Sequence, residues 1–249
     1  MKLNVHAGHN PAGKIACGAT GILDESKENR RVKGYLIDFL RTQGHTVYDC
    51  TCNNGTSQND VLKKIVDKCN AHSGISCDIS LHLNAGGGHG SECEIYGTGG
   101  NAEKYAKKIQ SAIVKRTGYT NRGVKVRKDL YVLRKTNAPA VLVECCFVDS
   151  AADAKRWNPQ TMAAAICEGL TGVNPLENKP STQTKSEAPT KPKEEKIVYK
   201  TINDVPEWCK PTIEKLIADG ALVGTGNDEL NISDDACRVL VLLDRLGKL

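Results

Sequence analysis

Hydrophobic and polar positions along the chain follow two periods, and each period predicts an element. The stretch "KLNVHA" (residues 2–7) reads as a first strand. Residues 26–43 place Val32, Leu36, Phe39 and Leu40 at helical spacing and stop at Gly44. "HTVYDC" (45–50) is a second strand, and residues 60–72 read as a helix with Val61, Leu62, Ile65, Val66 and Cys69 on one face. "CDISLHLNA" (77–85) predicts a central strand, "ECEIYG" (92–97) another, and residues 102–117 a helix. "LYVLR" (130–134) and "AVLVECCFV" (140–148) predict two further strands, and residues 159–170 a closing helix. Alternation on this scale implies an α/β layer fold, a mostly parallel sheet flanked by helices.

The last strand breaks its own pattern. In "PAVLVECCFVDS" (139–150) the apolar run is interrupted by Glu144 and two adjacent cysteines. An unpaired buried charge costs several kcal/mol even after relaxation, so Glu144 must have a partner, stay protonated, or be exposed at the strand's end.

The pattern stops altogether at Asn174. "NPLENKPSTQTKSEAPTKPKEEK" (174–196) carries one Leu as its only large apolar residue and is rich in Pro, Lys, Thr, Ser and Glu, so it predicts a disordered, extended linker. Residues 200–249 resume with two helical patterns joined by a Gly-rich turn. Trp208, Ile213, Leu216 and Ile217 form the first stripe; Ser233 caps the second helix, which turns Val239, Leu240 and Leu243 inward. The predicted organisation is a domain over residues 1–173, a linker over 174–199 and a small helical module over 200–249.

Composition narrows the class. No apolar run approaches ~18 residues, which excludes a membrane-spanning helix. "MKLNVHAGHN" turns polar at once and shows no signal peptide, so the expected site of synthesis is the cytoplasm. The 11 cysteines are odd in number and irregularly spaced, and several lie in apolar segments; most are expected to be reduced core thiols. Charge is divided: residues 1–174 carry 23 Lys+Arg against 16 Asp+Glu, and residues 201–249 carry 5 against 9. The basic part lacks the interleaved aromatic residues of a nucleic-acid stacking surface, so no nucleic-acid partner is expected.

Ligands in α/β folds gather beyond the carboxyl ends of the strands. His9 follows the first predicted strand, His82 lies near the end of the third, Glu144 near the end of the last, and Glu25 opens the first helix. A catalytic zinc site uses three His or carboxylate ligands and keeps one position for water. His9, Glu25 and His82 could supply that set, and Glu144 the carboxylate that moves the proton. Asp24 and Glu28 stand close enough to replace Glu25, and His6 could compete as a ligand. Asn84 and Arg122 are candidates for binding the substrate, and His89 for touching it; His45 and His72 have turn or surface contexts. A thiol hydrolase using Cys145 or Cys146 and a binding protein without catalysis remain as alternatives.

The blocks "GHNPAG", "GILDESKENRRVKGYLIDFLRTQGHTV", "DISLHLNAGGGHGSE" and "NRGVKVRKDLYVLRKTNAPAVLVECCFVDS" resemble, in order and spacing, the zinc-dependent N-acetylmuramoyl-L-alanine amidases of the amidase-3 family. The resemblance covers roughly residues 1–172. It implies a zinc ion held by His9, Glu25 and His82, a catalytic Glu144, and a peptidoglycan substrate. "VHAGHN" departs from the family's usual "DPGHGG", so that His6 stands where an Asp is expected, and Cys145, Cys146 and Phe147 replace the usual "IGF". The chain looks like a phage or prophage endolysin, made in the host cytoplasm and acting on the wall after release. The pattern "DVPEW" through "GALVG" in residues 200–249 resembles one repeat of the S-layer-homology type, which implies attachment to cell-wall polymer. At about fifty residues it falls below the ~70–80 at which a single core is comfortably stable, so self-association through residues 200–249 is a further expectation.

Overall fold

In the computed structural model of the protein, which describes residues 1–177, 198–222, 230 and 232–245, the apolar runs build a six-stranded sheet and the helices against it. The elements are β1 (Lys2–Ala7), α1 (Glu25–Thr42), β2 (Thr46–Asp49), α2 (Gln58–Asn70), β3 (Cys77–Asn84), β4 (Ser91–Ile95), α3 (Asn101–Thr117), β5 (Asn121–Val126), α4 (Tyr131–Lys135), β6 (Ala140–Phe147), α5 (Ala151–Arg156) and α6 (Pro159–Thr171). The sheet order is β2-β1-β3-β6-β4-β5. Strands β1, β2, β3 and β6 run parallel, β4 pairs with β6 antiparallel, and β5 follows β4.

Alternation along each strand divides the sheet into two unlike faces. Leu3, Val5, Ile79, Leu81, Val141, Val143 and Cys93 point to one side and pack under α1, α3 and α6 with residues such as Leu36, Ile109 and Ile166. Full burial of each large aliphatic side chain contributes roughly 1.5–3 kcal/mol, so this layer carries most of the stability. The intervening residues on the same strands, Asn4, His6, Asp78, Ser80, His82, Glu92, Glu94 and Glu144, point the other way. On that side α2 and α4 cover one part, packing Val61, Ile65, Val132 and Leu133 against Ala140 and Leu142. The remainder is open and polar.

One expectation is corrected here, and one strand is added. "LYVLR" is helix α4, because Val132 and Leu133 bury against α2 while Arg134 and Lys135 stay exposed; so short an apolar run carries no period of its own. The strand lies upstream, at β5, where "NRGVKV" is half-exposed on the sheet edge and lacks the apolar alternation of a core strand. Helix starts follow their caps: Asp24 accepts from the Lys27 N–H, Ser57 from Asp60 and Asn158 from Thr161.

The chain divides into two compact units, Met1–Thr182 and Gln183–Leu249. Most of the expected linker, residues 178–197, lies outside the described residues, and so do residues 223–229 of the expected Gly-rich turn. In the second unit, Val198–Tyr199 (β7) pairs antiparallel with Ile232–Ser233 (β8), beside helices Lys210–Ala218 (α7) and Asp234–Arg245 (α8). Val205, Cys209, Ile213, Ile232, Cys237 and Val241 form its core. Ser233 accepts from the Ala236 N–H, as its capping role requires. Three residues assigned to the buried stripes are instead exposed: Trp208 precedes α7, Ile217 lies on its outer side, and Val239 faces away from the core built around Cys237 and Val241. Among the described residues no helix is long and apolar enough to cross a membrane.

Candidate functional site

The turn after β1 begins the site. Gly8 donates to the Leu81 carbonyl (2.9 Å), which continues the β1–β3 pairing one step past the strand. His9 then adopts a left-handed backbone, φ 67°, a conformation that costs a residue with a Cβ on the order of 1–3 kcal/mol. Helix α1 holds it there: Asn29 Nδ2 donates to the Gly8 carbonyl (3.0 Å) and Arg30 Nη2 to the His9 carbonyl (2.9 Å). Gly8 must be glycine, since a Cβ at that position would overlap the His82 imidazole. A Cβ at Gly18, φ 82°, would likewise meet the Glu25 carboxylate.

These constraints bring three side chains from three elements together. Glu25, the first residue of α1, places Oε1 2.9 Å from His82 Nδ1 and 3.2 Å from His9 Nε2. The two imidazole rings lie edge to face, their centroids 4.9 Å apart. One ligating atom from each of His9, Glu25 and His82 lies within 4.8 Å of the others. Backbone donors complete the carboxylate: the Ala19 N–H reaches Oε2 (2.8 Å) and the Leu83 N–H reaches Oε1 (3.2 Å). Burial raises the Glu25 pKa, but hydrogen bonds with His82 and His9 outweigh it and hold the group well below the usual carboxylate range. Two imidazoles and an ionised carboxylate, preassembled by a strained turn, are a donor set suited to a zinc-type cation.

Glu144 stands beside them. Register pairs it with His82 on β3 and with Glu92 on β4, so the row across the sheet reads His82, Glu144, Glu92. Its Oε2 is buried without a hydrogen-bond partner. Burial, then the charges of Glu25, Glu94 and Glu92, push its pKa well above the ordinary value. Such an orphaned carboxyl oxygen, next to three ligating atoms, is a second feature that fits a cation with its water. The cleft over these groups has a volume of about 590 Å³ and reaches from Cys17 and Gly18, past Glu25 and His82, to Asn84 and Glu144.

The other candidates separate cleanly. Asp24 is the cap of α1, and Glu28 accepts from Arg31 and from Trp157 Nε1 (2.6 Å), so Glu25 is the member of that trio which enters the site. His6 is buried on β1 behind His82, outside the ligating trio; burial and the neighbouring His82 push its pKa down to about 3. His45 meets the N-terminal amine, His72 stacks on Tyr48, and His89 is exposed on the glycine loop after β3. Asn84 lines the cleft and donates from Nδ2 to Glu92 Oε1 (3.2 Å); Arg122 donates from Nε to Glu92 Oε2 (2.7 Å). All eleven cysteines are reduced thiols outside any disulfide. Cys145 and Cys146 have no exposed surface, and burial pushes both thiols up, which removes the thiolate a nucleophile needs.

Glu92 and Asn29 are the residues that sequence reasoning missed. Asn29 had a legible signal: Glu25 and Asn29 continue the buried stripe of Val32, Leu36 and Leu40 toward the N-terminus with polar residues. Glu92 had none, because its place beside Glu144 depends on the reversal of β4.

A sporulation-specific N-acetylmuramoyl-L-alanine amidase of Bacillus subtilis (strain 168) is 30% identical over 172 residues, 68% of this chain and 65% of that protein. An uncharacterised protein of Clostridium perfringens (strain 13) is 38% identical over 195 residues, 75% of this chain and 56% of that protein. The chain thus spans about half the length of the first curated relatives it matches. The catalytic domain of the CD27L endolysin, targeting Clostridia difficile, superposes with a TM-score of 0.64 at 29% identity, covering 70% of this chain and 98% of that domain. The Amidase_3 family model, described as N-acetylmuramoyl-L-alanine amidase, matches residues 4–172, the span that holds every residue of the site, and the chain belongs to that family.

Proposed function

We propose that the protein hydrolyses the amide between the lactyl group of N-acetylmuramic acid and L-alanine in peptidoglycan, using zinc held by His9, Glu25 and His82. The observation that carries this reading is the convergence of those three side chains within 4.8 Å, next to the unpartnered Oε2 of Glu144. Zinc in such a site supplies Lewis-acid polarisation of the carbonyl and lowers the pKa of a water to about 7. The residues do the rest. Glu25, held well below the usual carboxylate range by His82 and His9, favours its ionised, ligating form. Glu144 accepts a proton from the attacking water and returns it to the leaving amine as the C–N bond breaks. Asn84, which lines the cleft, holds the peptide in this reading.

The experiment is release of new amino termini from purified cell walls. Chelation should abolish it and zinc should restore it; activity that survives full removal of metal would end the proposal. A thiol reading predicts the opposite pair of responses, with alkylation inhibitory and chelation harmless.

We propose also an endolysin role, with synthesis in the cytoplasm and action on the wall after release. Likeness to an endolysin catalytic domain supports it. In this reading residues 200–249 form an S-layer-homology-like wall-binding or self-associating module, for which the exposed Trp208, Ile217 and Val239 provide apolar contact surface. Light scattering of the full chain checks the second option: a monomer at all concentrations would dismiss self-association.

A further inference from the structure

We infer that Arg122 recognises a free carboxylate on the peptide, two to three residues from the cleaved bond on the leaving-amine side. The inference rests on the amidase reading above and adds to it a substrate feature that the metal-site residues do not read.

Geometry across the sheet supplies the direction. The order from the ligating trio outward is His82 on β3, Glu144 on β6, Glu92 on β4 and Arg122 on β5. The scissile carbonyl belongs at the His82 end, and Glu144 donates to the leaving nitrogen, so the peptide continues from Glu144 over β4 toward β5. Adjacent strands are about 4.8 Å apart, which puts the β5 strand roughly 10 Å beyond that of Glu144. An extended residue spans at most about 3.3–3.6 Å, so that distance corresponds to two or three residues.

The Arg122 side chain is held for such a role. Its Nε donates to Glu92 Oε2 (2.7 Å), and its guanidinium carbon lies 4.8 Å from the centre of the Phe147 ring. Glu92 is itself anchored by Asn84 of the cleft. Among the described residues the hydrogen bonds of Arg122 run through Nε alone, which leaves both Nη nitrogens for a ligand, and the side chain keeps 31% of its surface exposed. Lys125 also pairs with Glu92, so two cations share one carboxylate. A planar fork with its orientation fixed suits a carboxylate better than a neutral carboxamide. The charged groups that a peptide tethered by its N-terminus offers an arginine are carboxylates.

The test uses the full zinc-loaded protein and two soluble muramoyl-peptides that differ only in one carboxyl, free in the first and a carboxamide in the second. Wild-type protein should favour the free acid by about tenfold in kcat/KM, mostly through KM. Arg122→Gln should cleave the two at equal rates, and Arg122→Lys should keep a preference of about threefold. Equal loss on both peptides in Arg122→Gln, or no preference in the wild type, would show that Arg122 serves only the packing of β4 and β5. Should Arg122→Gln fail to fold, Arg122→Lys preserves the pairing with Glu92, and an undiminished tenfold preference there overturns the inference. Failure of the wild type to cleave either peptide would instead refute the amidase reading beneath it.

Discussion

On one face of the sheet Leu3, Val5, Ile79, Leu81, Val141 and Val143 lie fully buried beneath three helices; on the other, Asn4, His6, Ser80, His82 and Glu144 fill the intervening positions of the same strands. The two sets differ in what satisfies them. The apolar side chains need only contact, and α1, α3 and α6 supply it. The polar side chains need partners, and they find them in each other: Asn4 Nδ2 with Asp78 Oδ1 (2.6 Å), Ser80 Oγ with His82 Nε2 (3.1 Å), Asn84 with Glu92. Several of their atoms are still left over: Asn4 Oδ1, His6 Nδ1, Asp78 Oδ2 and, beside the ligating trio, Glu144 Oε2. One face therefore sets stability and the other stores unmet charge and hydrogen-bonding capacity, which is what a catalytic site requires.

Substitutions should split along that line. The largest effect expected is on the polar face: Glu144→Gln should lower the rate of wall hydrolysis by about 10³-fold, in the range of a lost general acid–base. Its melting temperature should not fall, because the change removes a carboxyl whose burial already opposes ionisation. Zinc content and thermal unfolding, measured beside activity, check the split; a variant that loses stability in step with activity would erase the contrast. On the apolar face, Leu81→Ala should cost about 2–5 kcal/mol in denaturant unfolding, because the cavity opens in the closed layer of the core. The surviving folded fraction should hydrolyse walls at an undiminished rate. A rate loss beyond the folded fraction would mean that the two faces are not independent.

The smallest effect concerns Glu92, where stability and polarity meet. Burial raises its pKa, but hydrogen bonds from Lys125 and Arg122 outweigh burial and leave the group below its ordinary value. A carboxyl depressed in the folded state contributes stability above its unfolded pKa, about 4.3, and that contribution is lost as pH falls through the lower folded value. Wild-type melting temperature should therefore drop more steeply below about pH 4.3 than that of Glu92→Gln. Both cations are partly exposed, so the difference should be slight and should shrink with added salt. Parallel pH profiles would deny the pairing any share in stability.

Much of this contrast is legible in the amino-acid sequence. "DISLHLN" and "KLNVHA" write the two faces as alternate letters, and a carboxylate in "AVLVECC" announces that one face is not packing. The helical stripe ending in Glu25 and Asn29 says the same of α1. "LYVLR" and "NRGVKV" mislead because a short apolar run has no period and an edge strand needs none. The tail reads well at Ser233 and Ile213 and poorly at Val239, where the packing partner rather than the spacing decides which side turns inward.

By itself the sequence determined which side chains share a face and which residues close the turn at Gly8, because both follow from the local geometry of strand and loop. Only the tertiary structure decided which faces meet. Glu25 and His82 are 57 residues apart in the chain, and their 2.9 Å contact requires α1 to dock on β3. Glu92 reaches Glu144 only because β4 reverses against β6. Strand order and direction depend on pairings closed over long loops, whose energies are shared among many residues, and no local pattern encodes them.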